Sequence, residues 1–292
     1  MAIYHFSAQV ISRSAGRSAV AAAAYRSGER LHDERYGMIH DYSRKVVAEQ
    51  EIIAPQHAPE WVYDRERLWN AVEAAEKRKD SQLCREINVA LPKELTEKEQ
   101  RFLVMNFAQK EFVDKGMIAD IAIHRNDADN PHAHIMLTMR EITPDGFGSK
   151  NRDWNKKEWL ESWREQWERH ANRALERAGR EERIDHRSFE RQGITDRLPT
   201  IHEGPKVRQM EKRGIATDRG EINREVREYN AQVISLERYR EVQNKWRYFS
   251  PDERKAVLRA ADTIQQSIFS VPPSNEGRRG LEHVIHLSDT DV

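Results

Sequence analysis

The chain has 292 residues, 34% of them charged, and its 49 Lys and Arg are matched by 49 Asp and Glu, so no net field draws it to nucleic acid and any such site must be local. A single cysteine, Cys84, excludes an intramolecular disulfide and fits a reducing compartment. No apolar run is long enough to span a membrane and no signal-peptide core opens the chain, so a cytoplasmic protein without membrane insertion is expected.

The first predicted element is a strand, with Tyr4, Phe6, Ala8 and Val10 alternating with His5, Ser7 and Gln9. Ser18 or Ser14 can then cap an Ala-rich helix that carries Tyr25 near its end. Tiny side chains suit close packing on a sheet, and a tyrosine among them either fills a core gap or points at something. Residues 30–44 read as a charged loop. Over residues 59–79, Trp61, Leu68, Trp69, Val72 and Ala75 recur at helical spacing. Residues 85–92 read as a strand that puts Ile87, Val89 and Leu91 on one face and Glu86 and Asn88 on the other, an unusual place for polar groups. Thr96 with Glu99 makes a capping-box pattern for a helix through Val113, closed by Lys115 and Gly116.

Residues 118–124 and 132–140 alternate as two strands, and the Asn126, Asp127, Asp129, Asn130 and Pro131 between them are turn chemistry. The resulting hairpin brings His124 beside His132 and His134, which share a face. Three imidazoles converging on one point suit a metal ion with an open coordination position. Two other readings of these histidines exist: ordinary polar-face residues of a sheet, or a cupin-type oxygenase, which needs many more strands. Past Arg140 a helical pattern takes over. Trp159, Trp163 and Trp167 form a stripe that serves core packing or base stacking. Residues 184–189 read as a short strand or arm. A long charged helix is expected over residues 218–248, another from Ser250, and a disordered tail over 270–292. No phosphate-binding loop of a motor ATPase occurs.

The Tyr25 helix, the Arg85-Glu86-Ile87 strand, His124 with Asn130-Pro131-His132-Ala133-His134, and Arg152-Asp153-Trp154-Asn155 ahead of a Trp-rich helix resemble the MobA/MobL family of plasmid mobilisation relaxases. Residues 210–224 continue the likeness, in order. The resemblance implies an α+β fold, a central antiparallel sheet with helices packed on one face, as in relaxases and rolling-circle initiators, followed by a helical C-terminal extension. It also implies a relaxase domain over 1–215, a helical extension over 216–269 and the tail over 270–292.

The implied reaction is nicking of one strand of plasmid DNA at an origin of transfer, with Tyr25 as nucleophile, a 5′-phosphotyrosine intermediate and a free 3′-OH. A phenol with pKa of about 10 is a poor nucleophile near neutrality and needs help. One divalent ion, Mg²⁺ or Mn²⁺, held by His124, His132 and His134 would polarise the phosphate. Glu86 is open between further ligand, base, carboxylate orienting a histidine, and bystander; for Asp120 an ion-paired carboxylate is favoured. Arg17, Arg26, Arg152, Lys156 and Arg187 are candidates for DNA contacts. Expected partners are single-stranded transfer-origin DNA, accessory mobilisation proteins and a type IV secretion coupling protein, with passage to the recipient attached to DNA. A rolling-circle replication initiator is the first alternative, disfavoured because there the tyrosine follows the histidines. A metal-binding oxygenase or a non-catalytic DNA-binding module is the second.

Overall fold

A computed structural model describes residues 4–201 and 203–246. In chain order the elements are β1 (Phe6–Ser12), α1 (Ala19–Ser27), β2 (Arg30–Asp33), β3 (Met38–Asp41), β4 (Glu49–Ile53), α2 (Arg65–Ala75), β5 (Gln82–Ala90) and α3 (Glu97–Glu111). Then follow β6 (Ala119–His124), β7 (His132–Thr138), β8 (Arg140–Thr143), β9 (Gly146–Lys150), α4 (Lys157–Arg177), α5 (Gly204–Lys212) and α6 (Asp218–Trp246). The chain divides into two compact units between Ser188 and Phe189.

The first unit is built on an antiparallel sheet of order β1-β5-β7-β6-β4. Its strands alternate as their sequences demand. Ile87, Val89, Ala119, Ile121, Ile123, Ala133, Ile135 and Leu137 all join one fully buried cluster with α3 and α4. Phe107 of α3 and Phe112 just past its end meet Trp167 and Trp163 of α4 edge to face, at 5.0 and 5.3 Å between centroids. The tryptophan stripe is therefore core, and Trp154 is buried with it. Thr96 and Glu99 close the expected capping box on α3.

Helices cover both faces of this sheet, a correction to the expectation that they pack on one. The opposite face carries polar residues at one end, but Cys84 and Met136 are apolar, and α1 and α2 bury Ala19, Ala22, Ala23, Leu68 and Trp69 in the same cluster as these two. Three strand elements escaped the sequence patterns. The β2–β3 hairpin lies in the expected charged loop and turns at Gly37, whose φ of 60° a side chain would resist. Strand β4 is a sheet edge whose Glu49 and Glu51 pair with Arg101, and Glu49 also with Arg125, so its charges hide the period of two. Strands β8 and β9 follow Arg140, where a helical pattern was expected, but they pair with each other and add nothing to the five-stranded sheet. The larger strand set that an oxygenase barrel needs is absent among the described residues.

In the second unit, Asn223 and Asn230 of α6 each close two hydrogen bonds on an extended segment, at the backbone of Ile201 and Leu198 (2.8–2.9 Å). The long helix expected from residue 218 is α6. The helix expected from Ser250 and the tail expected over 270–292 lie outside the described residues.

Candidate active site

The register of the β6–β7 hairpin sets His124 opposite His132, and Ala122 opposite His134, so all three imidazoles stand on the polar face of the sheet. Their ring centroids are 4.9–5.2 Å apart and one ligand nitrogen of each lies within 4.8 Å of the others. Each ring has one nitrogen committed elsewhere. His124 Nε2 is 2.8 Å from the Arg26 carbonyl, His132 Nδ1 is 2.8 Å from the Asn130 carbonyl, and His134 Nδ1 is 2.7 Å from Glu86 Oε1. Since all three partners are acceptors, each imidazole donates there and keeps a lone pair on its other nitrogen, the arrangement a ligating histidine needs. Burial, with Lys45 and the neighbouring rings, pushes His124 down to about 4, and burial lowers His132 as well. Both are neutral at pH 7, the form that binds a cation.

Glu86 sits beneath this cluster, 1% exposed. Its two oxygens take the Arg26 guanidinium in a fork at 2.6 Å each, His134 Nδ1, and Gln9 Nε2 at 2.5 Å. Burial raises the carboxyl, but hydrogen bonds from His134 and Arg26 and their charge outweigh it and hold Glu86 at about 2. It is an ionised acceptor with its lone pairs engaged, a poor proton acceptor for a phenol. Asp120, on the same face, is taken by Arg65 at 2.9 Å and by the Trp69 indole at 2.8 Å, so it is the ion-paired carboxylate that was favoured.

Tyr25 stands near the end of α1, which Ser18 caps and Gly28 terminates in the left-handed conformation. The alanines Ala22, Ala23 and Ala24 beside it are buried, whereas Tyr25 is 47% exposed, so it fills no core gap. The adjacent Arg26 is the link to the histidines: its carbonyl receives His124 and its guanidinium holds the Glu86 that holds His134.

Arg17 joins this network through Gln9, at 3.1 Å. The other basic candidates are placed elsewhere. Arg152 lies in a 3-10 turn whose Asn155 bonds Gln82, at the end of β5 away from the histidines, and Lys156 next to it pairs with Asp153. Arg187 pairs with Asp185. Sequence reasoning missed Gln9, although its place opposite Glu86 follows once β1 is set beside β5. It also missed Lys45, which approaches Tyr25 together with Tyr42 from the chain after β3 and carries no local pattern.

Five antiparallel strands with a three-histidine cluster on the polar face, joined through Arg26 to the helix that carries an exposed tyrosine, define an α+β fold of the relaxase kind. The chain belongs to the MobA/MobL family, whose model matches residues 17–213. It is similar to the conjugal transfer protein TraA of Agrobacterium fabrum, 39% identical over 272 residues that cover 80% of this chain and 24% of that protein. It is also similar to mobilization protein A of Escherichia coli, 37% identical over 309 residues, covering 96% of this chain and 42% of that one. A solved structure concerning vancomycin resistance transfer in Staphylococcus aureus shares the fold with a TM-score of 0.62 and 37% identity, covering 64% of this chain and 100% of its own. The chain thus spans less than half the length of these two curated relatives.

Proposed function

We propose that this protein is a DNA relaxase that nicks one strand at a plasmid origin of transfer, and so begins and ends conjugative mobilisation. The observation that carries the reading is Arg26, which ties the helix bearing an exposed tyrosine to a cluster of three ligand-ready histidines. The names of the relatives, conjugal transfer and mobilisation proteins, point the same way. Residues 1–215 form the nicking domain in this reading, and single-stranded transfer-origin DNA is its substrate. Accessory mobilisation proteins and a coupling protein of a secretion system are its partners; it acts in the donor cytoplasm and travels attached to the DNA.

The Tyr25 hydroxyl oxygen forms a bond to the scissile phosphorus while the bond from phosphorus to the 3′ oxygen breaks. The phenol proton leaves to solvent, and the departing 3′ oxygen takes one up. One phosphate diester replaces another, so the joining reaction runs back over the same atoms. Glu86, ionised and engaged on both oxygens, orients His134 and anchors Arg26 rather than accepting the phenol proton. His124, His132 and His134 would hold a divalent ion, which when bound would supply Lewis-acid polarisation of the phosphate. Three neutral nitrogen donors leave that ion its full charge and suit Mn²⁺ better than Mg²⁺, which prefers oxygen ligands.

Incubation with single-stranded oligonucleotides tiling the transfer origin, with Mn²⁺, tests this. A covalent adduct at the new 5′ end made by the cut is expected, absent with chelator and abolished in Tyr25→Phe. An adduct that persists in Tyr25→Phe reassigns the nucleophile, and no adduct with any divalent ion defeats the reading. The tyrosine's place ahead of the histidines sets the replication initiator second.

A further inference from the structure

We propose that Lys45 is a positioning residue for Tyr25, holding the nucleophile's ring in place from the strap that follows β3. The inference rests on the relaxase reading for its functional meaning. Its geometry is independent of it. The Lys45 ammonium lies 4.0 Å from the centroid of the Tyr25 ring and donates a hydrogen bond of 2.7 Å to the Tyr25 carbonyl. One side chain therefore grips both the face of the ring and the backbone that carries it. The carbonyl is one of those left without a helical partner at the end of α1, so the bond also serves as a C-terminal cap.

The strap is built to put Lys45 there. The Tyr42 amide donates to the Glu29 carbonyl at 3.1 Å and the Lys45 amide to the Tyr42 carbonyl at 2.8 Å, which folds residues 42–45 against the end of α1. Gly28 makes the approach possible. A Cβ there would stand 2.8 Å from the Lys45 carbonyl oxygen and 2.9 Å from a Val47 methyl, and the residue's φ of +68° already favours glycine. From the same strap the Tyr42 ring meets Tyr25 edge to face at 5.2 Å. An exposed aromatic at a helix end would otherwise sample several rotamers; here it has a cation on its face and a ring at its side.

Arg26 also lies near this ring, at 5.6 Å, but its guanidinium is spent on Glu86. Among the described residues Lys45 makes no ion pair of that kind. Burial and the charge of Arg26 push its ammonium down to about 8, which leaves it largely protonated at pH 7. Holding a reacting atom within a fraction of an ångström of its line of attack is worth about tenfold to a hundredfold in rate. That is the effect expected here.

The test uses the full chain, a single-stranded transfer-origin oligonucleotide and Mn²⁺. Lys45→Met is expected to slow single-turnover adduct formation by about tenfold to a hundredfold, while affinity for the uncut oligonucleotide, measured in a Tyr25→Phe background, changes less than about twofold. Lys45→Arg restores most of the rate, because a guanidinium also lies over an aromatic face and reaches a carbonyl. In metal-free protein with ring-labelled tyrosine, the Tyr25 NMR signal, identified by its loss in Tyr25→Phe, should move in Lys45→Met and stay in Lys45→Arg. A rate within twofold of wild type, or a rate loss matched by an equal loss of affinity, overturns the proposal; the latter makes Lys45 a DNA contact. If wild type itself forms no adduct, the relaxase reading fails instead. The NMR signal then decides for Lys45 alone, and an unmoved signal overturns its hold on the ring.

Discussion

The two faces of the central sheet are made from alternate residues of the same strands, and they are held together in different ways. On the face under α3 and α4, Ile87, Ile121, Ile135 and Leu137 are completely buried against Phe107, Trp163 and Trp167. That face is stabilised by area removed from water, about 25 cal/mol per Å² of apolar surface. On the other face the same strands present Glu86, His124, His132 and His134 at one end, with Ala122 opposite His134, while Cys84 and Met136 meet α1 and α2 at the other. Order on that face comes from directional bonds. The lesson is a division of labour across one strand's thickness: Ile135 and His134 are neighbours in sequence, yet one anchors the fold and the other is free to serve chemistry.

That division is broken or sharpened most by a pair of substitutions on facing sides. His134→Ala removes one of the three proposed ligands and takes the imidazole from Glu86, so on the proposed reading nicking should fall by at least about a thousandfold, as when a unit of the catalytic machinery is lost. The cost in urea unfolding should stay at about 1–3 kcal/mol, since Glu86 loses one partner but keeps Arg26 and Gln9. Trp167→Ala opens a cavity between α3 and α4 and should cost about 3–5 kcal/mol of stability in urea unfolding. Its rate of adduct formation per folded molecule should stay near wild type. If Trp167→Ala slows the chemistry of the folded protein, or His134→Ala unfolds it, the two faces are coupled and the division is wrong.

The same contrast explains what was legible in the sequence. The dry face could be read because burial leaves a period: Ile118 to His124 and His132 to Thr138 alternate cleanly, and the tryptophans recur every four residues. The three histidines were legible too, because a hairpin with turn residues fixes its own register. Glu86 was noticed as a polar residue out of place, but its four hydrogen bonds come from β1, α1 and β7, and no local pattern announces such partners. Strand β4 was hidden by charges that turned out to be paired across the edge, and the coverage of both faces was missed because Ala-rich α1 gives no strong stripe. Lys45 was out of reach altogether, since its position depends on a strap closing over a glycine.

The smallest of these effects, and the finest probe of the polar face, is the response to acid. In metal-free protein His124 is held at about 4 against an ordinary 6.5, so between those values the unfolded chain binds the proton that the folded chain refuses. Stability present at neutral pH is therefore lost as pH falls from 6.5 through 4. Glu86, at about 2 against an ordinary 4.5, adds a second window: its contribution is full above 4.5 and is lost as pH falls toward 2. Each window is worth at most about 3.4 kcal/mol, from a shift of about 2.5 pH units at 1.36 kcal/mol each. Thermal unfolding followed from pH 7.5 to 2.5 should show a decline in two stages. Glu86→Gln should remove the lower stage and keep the upper one, because the amide stays neutral in both states. His124→Asn should shrink the upper stage to what the lowered His132 contributes and keep the lower one. A Glu86→Gln profile that keeps its full slope below pH 4.5 would mean that the carboxylate is not the charged anchor of this face, and that Arg26 is held by something other than Glu86.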